Sequence, residues 1–243
     1  MRIIKLDAID STNTFLKQIS SADVIEDFTV VVAKEQTKGK GQMGNVWSTT
    51  RGENLTFSVF KDVSFLNFEQ NFFLSLITAL ALRQTLQGFN VPKLTVKWPN
   101  DILSADKKIA GILIENVIKN NKLVSSVIGV GLNVNQTTFI NLPRASSMKL
   151  LVGANFDLDE VLQKFLCQLK LYFKKLKNGE TKALMKEYNS NLFRKNKPST
   201  FKNIEGSTFS GFIQGISNKG NLLVLLEDNI IKEFALNEIT LMY

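Results

Sequence analysis

The chain of 243 residues contains no histidine. That one absence removes imidazole general bases, Ser-His-Asp triads and histidine-ligated metals together. Any chemistry must run on Lys, Asp, Glu, backbone N–H groups and bound metal. A single cysteine, Cys167, excludes an internal disulfide and a cysteine zinc cluster. It falls among apolar neighbours in a helical pattern and reads as a core thiol. No apolar run approaches the roughly 20 residues of a membrane span. The N-terminal stretch MRIIKLDAIDS has no apolar secretory core, so the expected compartment is the cytoplasm and no membrane partner is expected. Nor does the chain contain a G-x-x-x-x-G-K-[ST] P-loop or a G-x-G-x-x-G run that opens a helix.

What is present is an ordinary globular balance, long enough for one large domain and one small one. The net charge of +8 is unevenly placed: residues 161–202 hold 11 Lys and Arg against 2 Asp and Glu. Aromatic residues do not alternate with these charges as stacking platforms would, so no nucleic-acid partner is expected. A solvated helical face accounts for the excess, with steering of an acidic macromolecular partner as its sharper alternative.

Along the chain, Arg2–Leu6 reads as a strand, and Ser11, Thr12 and Asn13 crowd hydrogen-bonding groups onto the start of a helix. Phe28–Glu35 and Asn54–Phe60 read as strands flanking a loop in which Gly39, Gly41, Gly44 and Gly52 alternate with Lys38, Lys40 and Arg51, with Trp47 near the middle. Glycine admits close backbone approach, consecutive N–H groups form anion-binding concavities, and lysines add charge. The loop therefore reads as a mobile cationic flap over a phosphorylated ligand. Phe68–Leu86 is a buried helix by its apolar 3–4 spacing, and Leu94–Trp98 a strand closed by Pro99. Lys107–Ile118 and Leu123–Asn133 form a hairpin turning at Asn120-Asn121. An amphipathic helix over Leu158–Leu176 and a second over Glu180–Phe193 follow. After a linker at Arg194–Ser199, short strands with glycine turns suggest a small β-barrel, which gives domains 1–196 and 197–243.

Five polar segments thus gather at strand ends and helix starts: DSTN (Asp10–Asn13), EQTKGKGQMGNVW (Glu35–Trp47), KWPND (Lys97–Asp101), KIAGILIE (Lys108–Glu115) and GVGLNVN (Gly129–Asn135). In this order the chain resembles the biotin protein ligases. The resemblance implies an α/β (α+β) fold: a mixed-sheet catalytic domain with a C-terminal SH3-like barrel. It implies biotin as substrate, ATP with Mg²⁺, and biotinyl-AMP as the intermediate. The partner would be a lysine of a biotin carboxyl carrier domain of a biotin-dependent carboxylase, and the ligase would be a monomer or homodimer. Lys108, Asp101 and Lys97 would be the catalytic group, with Lys108 holding biotin's carboxylate beside the α-phosphate and Asp101 assisting deprotonation of the acceptor amine. Biotin would contact Ser11, Thr12, Asn13, Gln36, Lys40, Gly41, Gln42, Lys108 and Gly111. Gly39, Lys40, Gln42, Asn45, Trp47, Lys97 and Asn133 would face ATP or the adenylate. No metal ligand set is assigned. Where the family's loop commonly reads G-R-G-R-x-G, this one has Lys40 and Gln42 in the arginine positions. Because DSTN begins at Asp10, no repressor function is expected. Two rivals remain, a lipoate or octanoate ligase of the same fold and a non-catalytic module that senses biotin.

Overall fold

The computed structural model describes all residues from Met1 to Tyr243. The chain begins with a parallel pair, β1 (Ile3–Ile9) and β2 (Val30–Gln36), joined through helix α1 (Thr12–Ala22). Then follow β3 (Leu55–Asp62), α2 (Phe72–Gly88), β4 (Leu94–Lys97), β5 (Asp101–Ser104), β6 (Lys107–Lys119) and β7 (Lys122–Leu132). These seven strands form one mixed sheet in the order β1-β2-β3-β7-β6-β5-β4. The β6–β7 hairpin turns on Asn120 and Asn121, both at positive φ, as the tight primed turn requires and asparagine tolerates. Helices α3 (Met148–Val152), α4 (Leu158–Lys177) and α5 (Thr181–Ser190) lead to β8 (Pro198–Asn203), β9 (Thr208–Ile216), β10 (Leu222–Leu225), β11 (Ile231–Phe234) and β12 (Ile239–Met242). The last five strands form an antiparallel sheet, β11-β10-β9-β8-β12, where the sequence suggested the small barrel.

Alternation along the central strands gives the large sheet two unlike faces. One face carries Phe57, Val59, Ile112, Ile128 and Val130, which pack on α2 and α4 in the main apolar core; the Phe57 ring meets Phe165 edge-on at 5.3 Å. Phe201, Ile213 and Leu222 of the second sheet belong to the same core. The other face carries Thr56, Ser58, Gly111, Gly129 and Gly131, paired across strands as Thr56–Gly131, Ser58–Gly129 and Gly111–Gly131. Helix α1 covers its β1–β2 end through a small cluster of Leu16, Val31 and Val127. The remainder of this face is open, and it is the floor of the cleft described below.

Several sequence expectations need correction. Cys167 is exposed, not a core thiol: Val161, Leu162, Phe165, Leu166, Leu169, Tyr172, Phe173 and Leu176 already fill the buried stripe of α4, and position 167 falls off it. The helix expected from Phe68 is interrupted, with a 3₁₀ turn at Phe68–Gln70 before α2 starts at Phe72. The helix expected to reach Phe193 ends at Ser190. Strand β5, directly after Pro99-Asn100, was not anticipated. The lysines at the end of α4 have a local reason to be there. Asp157 caps its first turn by accepting from Glu160 N, and Lys174, Lys175 and Lys177 sit at the negative end of its dipole. No helix is long and apolar enough to cross a membrane.

Candidate active site

A cleft of about 440 Å³ opens over the glycine-bearing face. Its two ends differ in chemistry. At the α1 end the residues are neutral and polar. Ser11 caps α1, its Oγ 3.5 Å from Thr14 N. Gln36, at the end of β2, accepts at Oε1 from Thr12 N (2.8 Å) and Thr12 Oγ1 (3.0 Å). Asn13 is buried and donates through Nδ2 to Glu115 Oε2 at 2.9 Å and to Leu113 O at 3.3 Å. Glu115 also pairs with Lys17 at 2.8 Å. Burial alone would raise this carboxyl; hydrogen bonds from Lys17 and Asn13 outweigh it and hold it below the usual carboxylate range.

The opposite end is cationic. Lys108 Nζ lies 2.7 Å from Asp101 Oδ1, and Lys97 Nζ 3.8 Å from Asp101 Oδ2. Behind them the Tyr243 ring lies against the Lys97 ammonium at 4.8 Å and the Arg144 guanidinium at 4.4 Å. Two lysines therefore share one carboxylate, with Arg144 close by. Burial holds the Lys97 ammonium below the usual lysine range; Asp101 opposes this, while Lys108 and Arg144 add to it. Such a cluster is short of negative charge, which a bound anion supplies. Asp101 Oδ1 is buried against the Lys108 ammonium.

The floor between the ends explains the glycines. A Cβ on Gly131 would lie 2.2 Å from Trp47 Cε2, one on Gly111 3.2 Å from Trp47 Cζ3, and one on Gly129 2.3 Å from Asn13 Oδ1. The glycines let the indole of Trp47 and the amide of Asn13 rest on the sheet. The indole also lies 5.5 Å from Lys108 Nζ, and its Nε1 is buried without a partner. The flap that carries Trp47 folds on itself: Gly41 N donates to Asn45 O at 2.7 Å, Trp47 N to Gly39 O at 3.0 Å, and Lys40 pairs with Val46. Lys40 Nζ rests on Thr14 Oγ1 at 3.0 Å.

Of the residues expected at the site, Ser11, Thr12, Asn13, Gln36, Lys40, Gly41, Gln42, Asn45, Trp47, Lys97, Asp101, Lys108 and Gly111 all line the cleft. Two do not. Gly39 serves the flap's own turn, where a Cβ would meet Trp47 O at 2.2 Å. Asn133 is buried and donates through Nδ2 to Ser146 O at 2.9 Å. It thereby fixes the Arg144–Ser147 segment, whose Arg144 O accepts from Lys108 N at 2.6 Å. The Lys108 side chain is 36% exposed and already paired with Asp101. Arg51 is drawn away from the flap to Asp7, with Glu35 at 3.8 Å. Sequence reasoning missed Ser58, Arg144, Tyr243 and the wall contributed by β12. Only Ser58 had a legible signal, since Thr56 and Ser58 alternate with Phe57 and Val59 and so mark a polar face.

Residues 6–133 match the model of the biotin/lipoate A/B protein ligase family. The bifunctional ligase/repressor BirA of Bacillus subtilis is 30% identical over 242 residues, covering 96% of this chain and 72% of that protein. A biotin–[acetyl-CoA-carboxylase] ligase of Mycobacterium tuberculosis is 34% identical over 165 residues, 66% of this chain and 59% of that one. The biotin protein ligase from Aquifex aeolicus in complex with biotin and ATP superposes with a TM-score of 0.83 at 30% identity, covering 99% of this chain and 98% of that one.

Proposed function

The chain belongs to the biotin/lipoate A/B protein ligase family, and from that premise we propose that it activates biotin as biotinyl-AMP and transfers the biotinyl group to a lysine of a biotin carboxyl carrier domain. One observation carries the reading. The cleft has a neutral hydrogen-bonding end at Thr12 and Gln36 and a cationic end at Lys108 and Lys97, with Arg144 behind them on the Tyr243 ring. Biotin has the matching polarity, a ureido ring at one end and a carboxylate at the other. The names of the Mycobacterium and Aquifex relatives favour the same substrate over lipoate, whose dithiolane offers no N–H to the polar end. The repressor half of the Bacillus name is not carried over.

In the first step a carboxylate oxygen of biotin attacks the α-phosphorus of ATP, the Pα–O bond to the β-phosphate breaks, and pyrophosphate leaves. Two anions must approach each other, so the chief need is charge neutralisation and positioning. Lys108 holds the carboxylate and then the acyl-phosphate oxygens; Lys97 and Arg144 face the phosphates. No three carboxylate or thiol side chains gather at one place, and Asp101 is the carboxylate beside the cationic cluster. This donor set fits a magnesium ion carried in on the phosphates rather than a resident metal, where it would offset phosphate charge. In the second step the acceptor amine attacks the acyl carbon and AMP leaves. Asp101, paired with Lys108 at 2.7 Å, exchanges that partner for the amine and accepts from it. The boundary at 196/197 we take as one between sheets, because the apolar core runs through both.

The flap departs from the family's usual loop at Lys40 and Gln42, losing a bidentate guanidinium at each. Gln42→Arg is expected to slow escape of biotinyl-AMP about tenfold, since a charge-assisted hydrogen bond contributes roughly 1.5–3 kcal/mol. A trap assay with excess competing ligand reads this, and unchanged escape contradicts it. Helix α4 offers no acceptor dock at the cleft, because it lies across the sheet from it, whereas Leu192, Phe193 and Phe201 at the far end of the basic segment line the cleft. Lys174→Glu with Lys177→Glu should leave transfer to the carrier within about twofold at physiological salt, where screening acts over about 8 Å; a loss several times larger would place the acceptor on α4. The function itself is tested by incubating the protein with ATP, a carrier domain and either biotin or lipoate. Biotin alone should release pyrophosphate and add its acyl mass to the carrier.

A further inference from the structure

The cationic end of the cleft holds more positive charge than its one carboxylate offsets, and Tyr243 stands where the excess gathers. Its ring lies 4.8 Å from Lys97 Nζ and 4.4 Å from the Arg144 guanidinium carbon, inside the range of a cation–π contact. Lys97 faces Asp101 across the β4–β5 pair. Its ammonium nevertheless stays 3.8 Å from that carboxylate, which Lys108 holds at 2.7 Å. Phe193 fixes the Tyr243 ring from the side, edge to face at 5.2 Å. Phe193 N in turn donates to Val96 O at 2.8 Å, and Val96 N to Asn191 O at 2.8 Å. The ring is thus anchored to the strand that carries Lys97. Burial, and then the charge of Asp101, push the Tyr243 phenol above its usual range against the opposing pull of Arg144. The hydroxyl stays neutral, and the ring meets the cations through its π face. Tyr243 itself does not line the cleft, so it acts on a ligand only through the cations it holds.

We infer that Tyr243 is a positioning residue that holds the Lys97 ammonium off Asp101 and so keeps its charge uncommitted for the phosphates of ATP. The inference rests on the ligase reading and adds a residue that the phosphate end needs. Lys97 and Arg144 repel each other, which destabilises the ammonium. A second carboxylate would hold both but would cancel the charge that has to meet a phosphate. An aromatic face attracts each cation through its quadrupole and adds no net charge. Without the ring, the partner left to Lys97 is Asp101 on the neighbouring strand. The lysine then turns onto that carboxylate, competes with Lys108 for it, and presents less charge to the cleft. Thr12 and Gln36, at the other end, are not touched by the change.

The experiment measures biotin-dependent pyrophosphate release by wild type, Tyr243→Phe and Tyr243→Leu, with ATP and biotin varied separately. Phenylalanine keeps the ring, and KM for ATP should stay within about twofold of wild type. Leucine keeps apolar bulk against Phe193 and loses the π face. Its KM for ATP should rise about tenfold while KM for biotin stays within about twofold. A series of fluorinated phenylalanines at position 243 asks the same question at nearly constant shape. Fluorine withdraws charge from the ring face, so KM for ATP should climb with the number of fluorines. A flat series overturns the inference whether or not Tyr243→Leu folds. So does an equal rise of both KM values in Tyr243→Leu, the mark of a merely structural role, or a Tyr243→Phe enzyme as impaired as Tyr243→Leu. Absence of biotin-dependent pyrophosphate release in wild type instead overturns the ligase reading.

Discussion

Lys108→Ala is expected to lower kcat/KM for biotin-dependent pyrophosphate release by about a thousandfold, in the range seen when a preorganised charge donor is removed from a transition state. The ammonium is the cation placed between the indole of Trp47 and the carboxylate of Asp101, where we propose that the carboxylate of biotin and the α-phosphate meet. Removing it leaves the neutral end intact, so biotin should still bind through Thr12 and Gln36, more weakly for want of its carboxylate partner. Thermal unfolding should change little, because the side chain is 36% exposed and most of what it leaves behind is one less-compensated carboxylate. Lys108→Arg tests position against charge. It keeps the cation but moves it outward on a planar fork, and should recover only a small part of the rate. Steady-state kinetics with biotin and ATP varied separately, beside a melting curve, check all three statements.

Gly129→Ala should be a strongly damaging single-methyl change. The added carbon would stand 2.3 Å from Asn13 Oδ1 and 3.0 Å from Leu113 O. The second of these is backbone held in the β6–β7 ladder and cannot yield. Asn13 has to leave the sheet, taking the first turn of α1 with it, and Glu115 and Ser58 lose their shared partner. Overpacking costs about 1–3 kcal/mol, and a buried polar group left unsatisfied roughly as much again. The expected loss is therefore about 2–6 kcal/mol of stability, with biotin affinity down about a hundredfold. Gly88→Ala is the control. Its Cβ would meet nothing within 4 Å and its φ is ordinary, so stability should hold or rise slightly. Denaturant midpoints and biotin titrations of the two variants distinguish a requirement at this site from a general sensitivity to alanine.

Much of the site was legible because each motif carries its own local physics. Ser11-Thr12-Asn13 reads as a helix start from capping chemistry alone, and Asn120-Asn121 as a tight hairpin. The alternation of Gly129 and Gly131 announces a strand face cleared for something else. What occupies that face was not legible. The flap glycines were read as sites of close backbone approach to a ligand, yet Gly39 makes room for the flap's own carbonyl, and on the sheet Gly131 makes room for Trp47 and Gly129 for Asn13. Asn133 failed for a related reason: its side chain is engaged with Ser146 O, a residue 13 positions along that no local pattern connects to it. Tyr243, just past β12, comes to Lys97, and Arg144, from the segment before α3, comes to Tyr243. Such convergence depends on chain topology, and composition and spacing do not encode it. The same holds for the basic helix α4, whose charges were visible but whose position across the sheet from the cleft was not.

The central claim is that biotin spans the cleft from Thr12 to Lys108, with no imidazole taking part. A crystal structure of the protein with biotin tests it most directly. The ureido ring should lie against Thr12 and Gln36, and a carboxylate oxygen should sit within hydrogen-bond distance, about 2.7–3.2 Å, of Lys108 Nζ. Biotin bound with its carboxylate toward α1, or outside the cleft altogether, would contradict the account.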